Sequence, residues 1–479
     1  MSADARDDRA GVLADLSARI APWLPKARWF PGKDRAAESV RVIDLLEIPG
    51  TGALAVAIVE SAGTLLVVPV DPLTGLDAAA EPALAAAIAM LALGGGAVTG
   101  LHGSLVGRPV EARPSDNAPP LPRVAFPAAD LRVRPLGGDA SNTSLVIEGA
   151  GAAGGALVLK LLRQARPGIH PEVEFGRFFA AATDWRGTPE FYGWVEYVPV
   201  APEGDRAAVA TLHTFEPGCK SAWEVLVEWL ADGGLDGAKR ESMLDLARHL
   251  GTVTAQMHRA LASRCDLPDF APEPATAAGR RALGHRLATH ARNVFTSSAF
   301  AASPQSQTLS PRLSRLAAKA PGISAELEAL AAAGTTAADI RVHGDYHLGQ
   351  VLVDESGQRV LPIDFEGEPT RPLAERRRKT SAAKDVAGML RSFDYLVAHV
   401  DRLHGAGPGD PAPLAEAFLV AYRHGASRSA WWPTDADEER RLLAAFTLDK
   451  AVYELAYELA NRPDWVDVPL RALERLAGG

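Results

Sequence analysis

Asp345, Gln350 and Asp364 are the residues of this chain whose types and spacing can do chemistry. The two carboxylates lie nineteen residues apart, in HGDYHLGQ (His343–Gln350) and DFEGE (Asp364–Glu368). Such a pair suits phosphoryl transfer: one carboxylate accepts the hydrogen bond of an attacking hydroxyl, and the other holds a magnesium ion bridging the phosphates of ATP. Gln350, five residues after Asp345, offers its amide oxygen as a second hard ligand. An isolated Asp beside a strand is usually a turn or cap residue, so the reading rests on the spacing of the whole set.

Those residues need a scaffold, and the sequence supplies one. Gln350–Asp354 alternates as a strand, Glu355–Gln358 has turn composition, and Arg359–Ile363 returns as a second strand. Antiparallel pairing brings the loop before the first strand to the loop after the second, so that Asp345 and Asp364 face one cavity. Upstream, strands are expected at Leu131–Leu136, Ser144–Glu148 and Ala156–Leu162, with a tight loop at Gly137–Thr143, a tip at Gly149–Gly155, and a helix at His170–Ala182. Lys160 lies in the apolar run ALVLKLL, where a lysine is ordinarily an edge residue pointing outward. Upstream of such a hairpin it can instead neutralise the α and β phosphates, held by a glutamate of the following helix. Glu172 and Glu174 are separated by helical rotation, and Glu174 is expected to face Lys160. Ser141, Asn142 and Thr143 can approach the phosphates through backbone N–H groups and hydroxyls. The strand Ala207–Phe215 ends in His213, Thr214 and Phe215, where an adenine ring would pair with the backbone at a linker between lobes.

The whole chain bounds the partners. Its 479 residues suggest about three domains, divided here as 1–125, 126–216 and 217–479, with the first boundary in the loop Pro114–Arg123. With 59 acidic against 50 basic side chains and a net charge of -9, there is no basic excess for nucleic acid. A basic cluster at Arg371–Lys379 is local, either a solvated loop or a phosphate or partner contact. Cys219 and Cys265 are the only cysteines, too few for a disulfide scaffold or a CxxC metal site. The amino terminus lacks the apolar core of a signal peptide, so a cytoplasmic location is expected. Ala79–Ala97 is apolar but contains Glu81 and Pro82, which favours a buried helix over a membrane span. Further helices are expected at Glu241–Ala262, with His258 in a packing role, and at Ala383–His399, Leu414–Ala426 and Glu438–Ala460. On the last, Tyr453, Glu454, Tyr457 and Glu458 stand at i, i+4 spacing, either as a buried aromatic stripe or as faces and carboxylates for a sugar.

Several segments resemble the bacterial maltokinases, within the aminoglycoside phosphotransferase and choline kinase group. They are KARWFPGKDR (Lys26–Arg35), SNTS (Ser141–Ser144), LKLLRQARPGIHPEVEFGRF (Leu159–Phe178), VHGDYHLGQVL (Val342–Leu352), IDFEGEPTRPLAERR (Ile363–Arg377), KDVAGMLRSFDY (Lys384–Tyr395) and LDKAVYELAYELANRPDW (Leu448–Trp465). The order of base, amide and metal carboxylate is also that of HRDxxxxN followed by DFG in protein kinases. The resemblance implies an α+β, bilobal protein-kinase-like fold with an N-terminal cap, a kinase N-lobe and a mainly helical C-lobe. It implies ATP- and Mg2+-dependent transfer of the γ-phosphoryl group to the anomeric hydroxyl of maltose, giving maltose 1-phosphate. Asp345 would then orient and deprotonate the sugar, Gln350 and Asp364 hold magnesium, and Lys160 with Glu174 position ATP. His347, Glu366, Glu368, Tyr453, Glu454, Tyr457, Glu458 and Arg462 would line the sugar pocket. GGDASNTS, EPGCKSAW and Ala460 depart from the family pattern, and the last two belong to the acceptor side. An alternative is therefore a glucosamine kinase acting at the 6-hydroxyl, with the amino group welcomed by Glu366, Glu368, Glu454 or Glu458. A catalytically silent nucleotide- or sugar-binding regulator is the alternative of another class, disfavoured by the intact Lys, Asp, Gln and Asp.

Overall fold

The computed structural model describes residues 3–31, 40–111, 131–137, 141–149, 155–200, 206–231, 238–301, 309–332, 334, 336–404 and 410–476. The boundary loop Pro114–Arg123, the Gly138–Ala140 part of the expected phosphate loop, most of the expected tip, and the end of KARWFPGKDR lie outside the described residues. The chain forms two compact units, one made of Met1–Pro217 with Pro369–Glu375 and the other of Gly218–Glu368 with Arg376–Gly479.

In the first unit, helix α1 (Ala3–Ile20) precedes a three-stranded antiparallel sheet of β1 (Val40–Glu47), β2 (Ala55–Ser61) and β3 (Thr64–Val70). Leu13, Leu16 and Ile20 recur at helical spacing, and their face packs with Leu24, Trp29, Phe30, Val42, Val59 and Val68. The apolar stretch expected as a buried helix is α2 (Pro82–Gly94), with proline in its first turn where no backbone donor is lost. Among the described residues, no helix is long and apolar enough to cross a membrane.

A second, seven-stranded sheet follows, in the order β4-β5-β9-β10-β8-β7-β6. Its strands are β4 (Ala97–Thr99), β5 (Gly103–Pro109), β6 (Arg132–Leu136), β7 (Thr143–Glu148), β8 (Leu157–Leu161), β9 (Phe191–Pro199) and β10 (Ala207–Thr214), with α3 (Pro171–Ala181) between β8 and β9. Strands from both sides of the expected cap boundary thus share one sheet. Helix α2 lies close against it, because a Cβ on Gly107 would stand 1.7 Å from the Leu91 carbonyl oxygen.

Two buried charges tie the sheets together. Asp44, fully buried beside a bulge in β1, accepts from the amides of Leu45 (3.0 Å), Leu101 (2.7 Å) and His102 (3.1 Å) and from the Tyr197 hydroxyl (3.0 Å). The Arg163 guanidinium lies 4.4 Å from the Trp29 ring centroid and donates to Asp77 (2.9 Å) and to the Thr143 hydroxyl (2.9 Å).

The second unit is mainly helical. A small sheet of β11 (Lys220–Ser221), β12 (Val351–Val353) and β13 (Val360–Pro362) is accompanied by α4 (Ala222–Ala231), α5 (Arg240–Leu261), α6 (Ala277–Phe295), α7 (Ser298–Ala301) and α8 (Leu309–Ala331). After the hairpin and the short α9 (Leu373–Arg376), most of which belongs to the first unit, come α10 (Ala383–His404), α11 (Ala412–Ala426), α12 (Ala436–Asn461) and α13 (Asp467–Leu476). Leu250 and Met257 of α5 and Phe418 and Tyr422 of α11 are all buried, as the amphipathic patterning of both helices requires. Asp435 caps α12 by accepting from the amide of Glu438.

Replacing Asp44 with Ala leaves three donors from distant segments, the buried Tyr197 hydroxyl among them, without their acceptor. We expect Asp44→Ala to lower unfolding stability by about 3 kcal/mol, read from the urea midpoint at constant slope.

Candidate active site

The expected hairpin forms, with Val351 opposite Pro362, Leu352 opposite Leu361 and Val353 opposite Val360. Asp354 closes its turn by accepting from the amides of Gln358 (2.9 Å) and Arg359 (3.1 Å). At the other end, the Ile363 amide donates to the Gln350 carbonyl at 2.9 Å, and Gln350 Nε2 lies 2.8 Å from Asp364 Oδ2. Asp364 has φ 63°, a left-handed conformation that Asp tolerates better than most side chains.

The loop carrying Asp345 is held by a carboxylate that sequence reasoning missed. Asp385, 1% exposed at the start of α10, accepts from the amides of His343 (2.7 Å) and Gly344 (2.8 Å) and lies 3.0 Å from His258 Nε2. His258 in turn meets the Tyr422 hydroxyl at 2.8 Å, so it links Asp385 to α11. His343 spans the two acidic loops: Nε2 meets the Ile363 carbonyl at 2.8 Å and Nδ1 accepts from the Asp345 amide at 3.4 Å. Burial pushes the Asp385 carboxyl up, but the hydrogen bond and charge of His258, with the Gly344 amide, hold it below the usual range.

Asp345 itself faces a second residue that was missed. Lys450 Nζ lies 2.8 Å from Asp345 Oδ1 and 3.3 Å from Glu368 Oε1, while Glu368 Oε2 is 3.5 Å from Lys384. Burial opposes ionisation of Asp345, yet the charges of Lys450 and His347 outweigh it and carry the carboxyl below its ordinary value. His347 is pushed down by burial, against the pull of Asp345. The signal for Lys450 was present as a lone cation among apolar helix residues in LDKAVYEL, the same anomaly that drew attention to Lys160. Asp385 gave no such signal, because an acid in the first turn of a helix is ordinary.

Of the expected acceptor residues, the structure gathers Glu368, Tyr453 and His347 around Asp345 and Lys450, with Lys450 Nζ 4.6 Å from the Tyr453 ring centroid. The others lie in ion pairs or at the surface. Glu366 pairs with Arg376 at 3.6 Å, Glu454 with Arg391 at 2.6 Å, and Glu458 with Arg462 at 2.5 Å and the Tyr395 hydroxyl at 3.2 Å. Tyr457 is exposed, with the Arg462 guanidinium 5.5 Å from its ring. The basic cluster is also engaged, through Arg371 with Glu375, Arg377 with Asp269 and Lys379 with Glu273.

In the first unit, Lys160 on β8 stands between Ser144 and Thr211 of its neighbours. Its Nζ lies 2.7 Å from Glu172 Oε2, which corrects the expected ion pair with Glu174. Both glutamates are buried in the first turns of α3, so facing inward does not choose between them. Glu172 is selected because its other oxygen also meets Thr211 Oγ1 (3.1 Å) and His213 Nε2 (3.2 Å). Burial works against ionisation of Glu172, and the Lys160 charge together with His213 overrides it and lowers its pKa. His213 therefore serves the ion pair through its side chain. The Thr214 and Phe215 amides are bonded to the carbonyls of Glu190 (2.9 Å) and Ala156 (3.0 Å). Asn142 Nδ2 lies 3.3 Å from Ser141 Oγ, and Thr143 Oγ1 accepts from Arg163.

Among the described residues there is no group of three or more His, Cys, Asp or Glu arranged for a metal. Gln350 and Asp364 are a two-ligand oxygen set, which fits magnesium where phosphates and waters complete the shell. A half-turn of the Gln350 amide exchanges the nitrogen facing Asp364 for the oxygen a cation takes.

Residues 132–368, which include Lys160, Asp345, Gln350 and Asp364, match the phosphotransferase enzyme family. The segment 132–368 belongs to this family. Residues 23–101 match the maltokinase N-terminal cap domain, so the fold is the kinase-like α+β fold of the family with that cap added. The chain is similar to a glucosamine kinase of Streptacidiphilus jiangxiensis, with 33% identity over 274 residues, 54% of this chain and 56% of the relative. The match thus spans little more than half the length of that relative. A glucosamine kinase of Mycolicibacterium smegmatis is 28% identical over 355 residues, 72% of this chain and 79% of the relative. The solved structure of a glucosamine kinase in complex with glucosamine, ADP and inorganic phosphate aligns with a TM-score of 0.61 at 26% identity, covering 96% of this chain and 98% of that one.

The depressed pKa of Asp385 sets a direction for acid stability. A carboxyl whose folded pKa is lowered contributes fully above its unfolded pKa of about 4 and loses that contribution as the pH falls through the folded value. We expect Asp385→Asn to cost about 3 kcal/mol at neutral pH and to flatten the fall in stability below about pH 4, measured by thermal unfolding across pH.

Proposed function

We propose that the protein is an ATP- and magnesium-dependent sugar kinase and that its acceptor is a neutral sugar, with maltose phosphorylated at the anomeric hydroxyl to maltose 1-phosphate. Family membership supports the phosphotransfer. The observation that carries the choice of acceptor is electrostatic: Glu366, Glu368, Glu454 and Glu458, the acids that could receive an amino group, all lie opposite protein cations. A cationic sugar would have to displace one of them, whereas a neutral sugar needs only hydroxyl hydrogen bonds and an aromatic face. The match to the maltokinase cap points the same way.

In this reading Asp345 accepts the proton of the acceptor hydroxyl as its oxygen attacks the γ-phosphorus, the bond to the β-phosphate oxygen breaks, and ADP leaves. Lys160, fixed by Glu172, neutralises the α and β phosphates. Asp364 and Gln350 would hold magnesium, which would supply neutralisation of phosphate charge when bound. Because the transition state is loose, positioning and charge neutralisation account for most of the acceleration.

Phosphorylation of glucosamine at the 6-hydroxyl is the second reading, supported by the relatives named glucosamine kinase and by the glucosamine bound in the aligned structure. The two readings part in the product, since a phosphate on C1 removes the reducing end and one on C6 leaves it. ATP consumption with maltose, glucosamine, glucose and an aminoglycoside, followed by phosphorus NMR, is expected to give a non-reducing product from maltose. A product that keeps its reducing end, formed from glucosamine alone, overturns the first reading in favour of the second. Asp345→Ala is expected to abolish turnover while leaving nucleotide binding nearly unchanged, and a variant with near wild-type kcat removes Asp345 from the base role.

A further inference from the structure

Lys450 is buried and charged at the reacting carboxylate, and no role assigned so far accounts for it. Its side chain is 14% exposed and projects from α12 to Asp345 Oδ1 at 2.8 Å and Glu368 Oε1 at 3.3 Å. The other Asp345 oxygen, Oδ2, has no hydrogen-bond partner among the described residues, while the side chain as a whole is 16% exposed. One carboxylate oxygen is thus clamped and the other is open.

The groups facing this pair come from every neighbouring segment. Lys450 and Tyr453 come from α12, Glu368 from the second acidic loop, Lys384 from α10, and His347 and His343 from the loop of Asp345 itself. A free carboxylate rotates and offers either oxygen. One tethered at Oδ1 presents Oδ2 along a fixed direction, which proximity effects reward in a transfer that depends on in-line alignment.

We propose that Lys450 is the positioning residue of the transfer, clamping Asp345 Oδ1 so that Oδ2 alone meets the acceptor hydroxyl. The proposal rests on the sugar-kinase reading above. Loss of the ammonium also removes the charge that offsets the burial of Asp345, so its carboxyl protonates at higher pH and the acid limb of the rate profile moves upward.

The test uses the full chain with Lys450→Met, Lys450→Gln and Lys450→Arg, with kcat and the KM values for ATP and sugar measured from pH 5 to 9. Lys450→Met is expected to lower kcat by about 100-fold, to shift the acid limb to higher pH, and to leave the KM for ATP within about twofold. Lys450→Arg, which restores the charge, is expected to return the acid limb toward its wild-type position. Should the Met variant fail to fold by circular dichroism, Lys450→Gln, which keeps a donor but no charge, carries the same expectation. Wild-type kcat and an unmoved acid limb in the neutral variants overturn the role of Lys450 alone. Absence of wild-type ATP turnover with every sugar in the panel overturns the sugar-kinase reading and this role together.

Discussion

A carboxylate cut off from water holds the acidic loop in shape. Asp385 takes hydrogen bonds from two consecutive amides, His343 and Gly344, and a contact from His258 that reaches through Tyr422 to α11. A buried charge without partners is expensive, so this one is tolerated only when the loop bends to present both amides at once. The burial of Asp385 therefore couples the packing of α5, α10 and α11 to the conformation of the loop that ends in Asp345. Gly388, one turn along α10, makes that approach possible, because a Cβ there would stand 2.5 Å from the Tyr346 carbonyl oxygen. His343 passes the constraint on to the hairpin by bonding the Ile363 carbonyl, one residue before Asp364.

Each unit solves the problem of an ammonium among apolar residues in the same way. Lys160 is surrounded by the leucines of β8 and is matched by Glu172. Lys450 is surrounded by the buried residues of α12 and is matched by Asp345 and Glu368. Neither charge would be stable unpaired, and each pair orders a carboxylate that unpaired would sample several rotamers. The difference lies in what remains free. Glu172 uses both oxygens inside the protein, on Lys160, Thr211 and His213, whereas Asp345 uses one. A carboxylate saturated by its own protein is a fastener, and one with an open oxygen is available for reaction.

Local periodicity made part of the fold legible, while the helices α6 and α8 were not expected from it. The hairpin follows from alternation around a turn at Glu355–Gln358, and the long helices α5, α10, α11 and α12 follow from apolar spacing, each within a few residues at its ends. Relations between distant segments were not legible. Choosing between Glu172 and Glu174 required knowing that Thr211 and His213 would stand beside the first, which helical rotation alone does not tell. The membership of β4 and β5 in the larger sheet depends on pairing between β5 and β9, nearly a hundred residues apart. Lys450 lies 105 residues after Asp345, and only its odd placement in an apolar stripe hinted at a partner.

The pairing of acids with cations also constrains how a cationic acceptor could bind at all. Taking Glu454 for an amino group would leave Arg391, itself 1% exposed, with Asp394 as its remaining carboxylate partner. Glu458 differs, because its partner Arg462 is 48% exposed and can move its guanidinium into water at little cost. Of the acids once expected to greet an amino group, Glu458 alone pairs only with a cation able to step aside, and it stands two helical turns along α12 from Lys450.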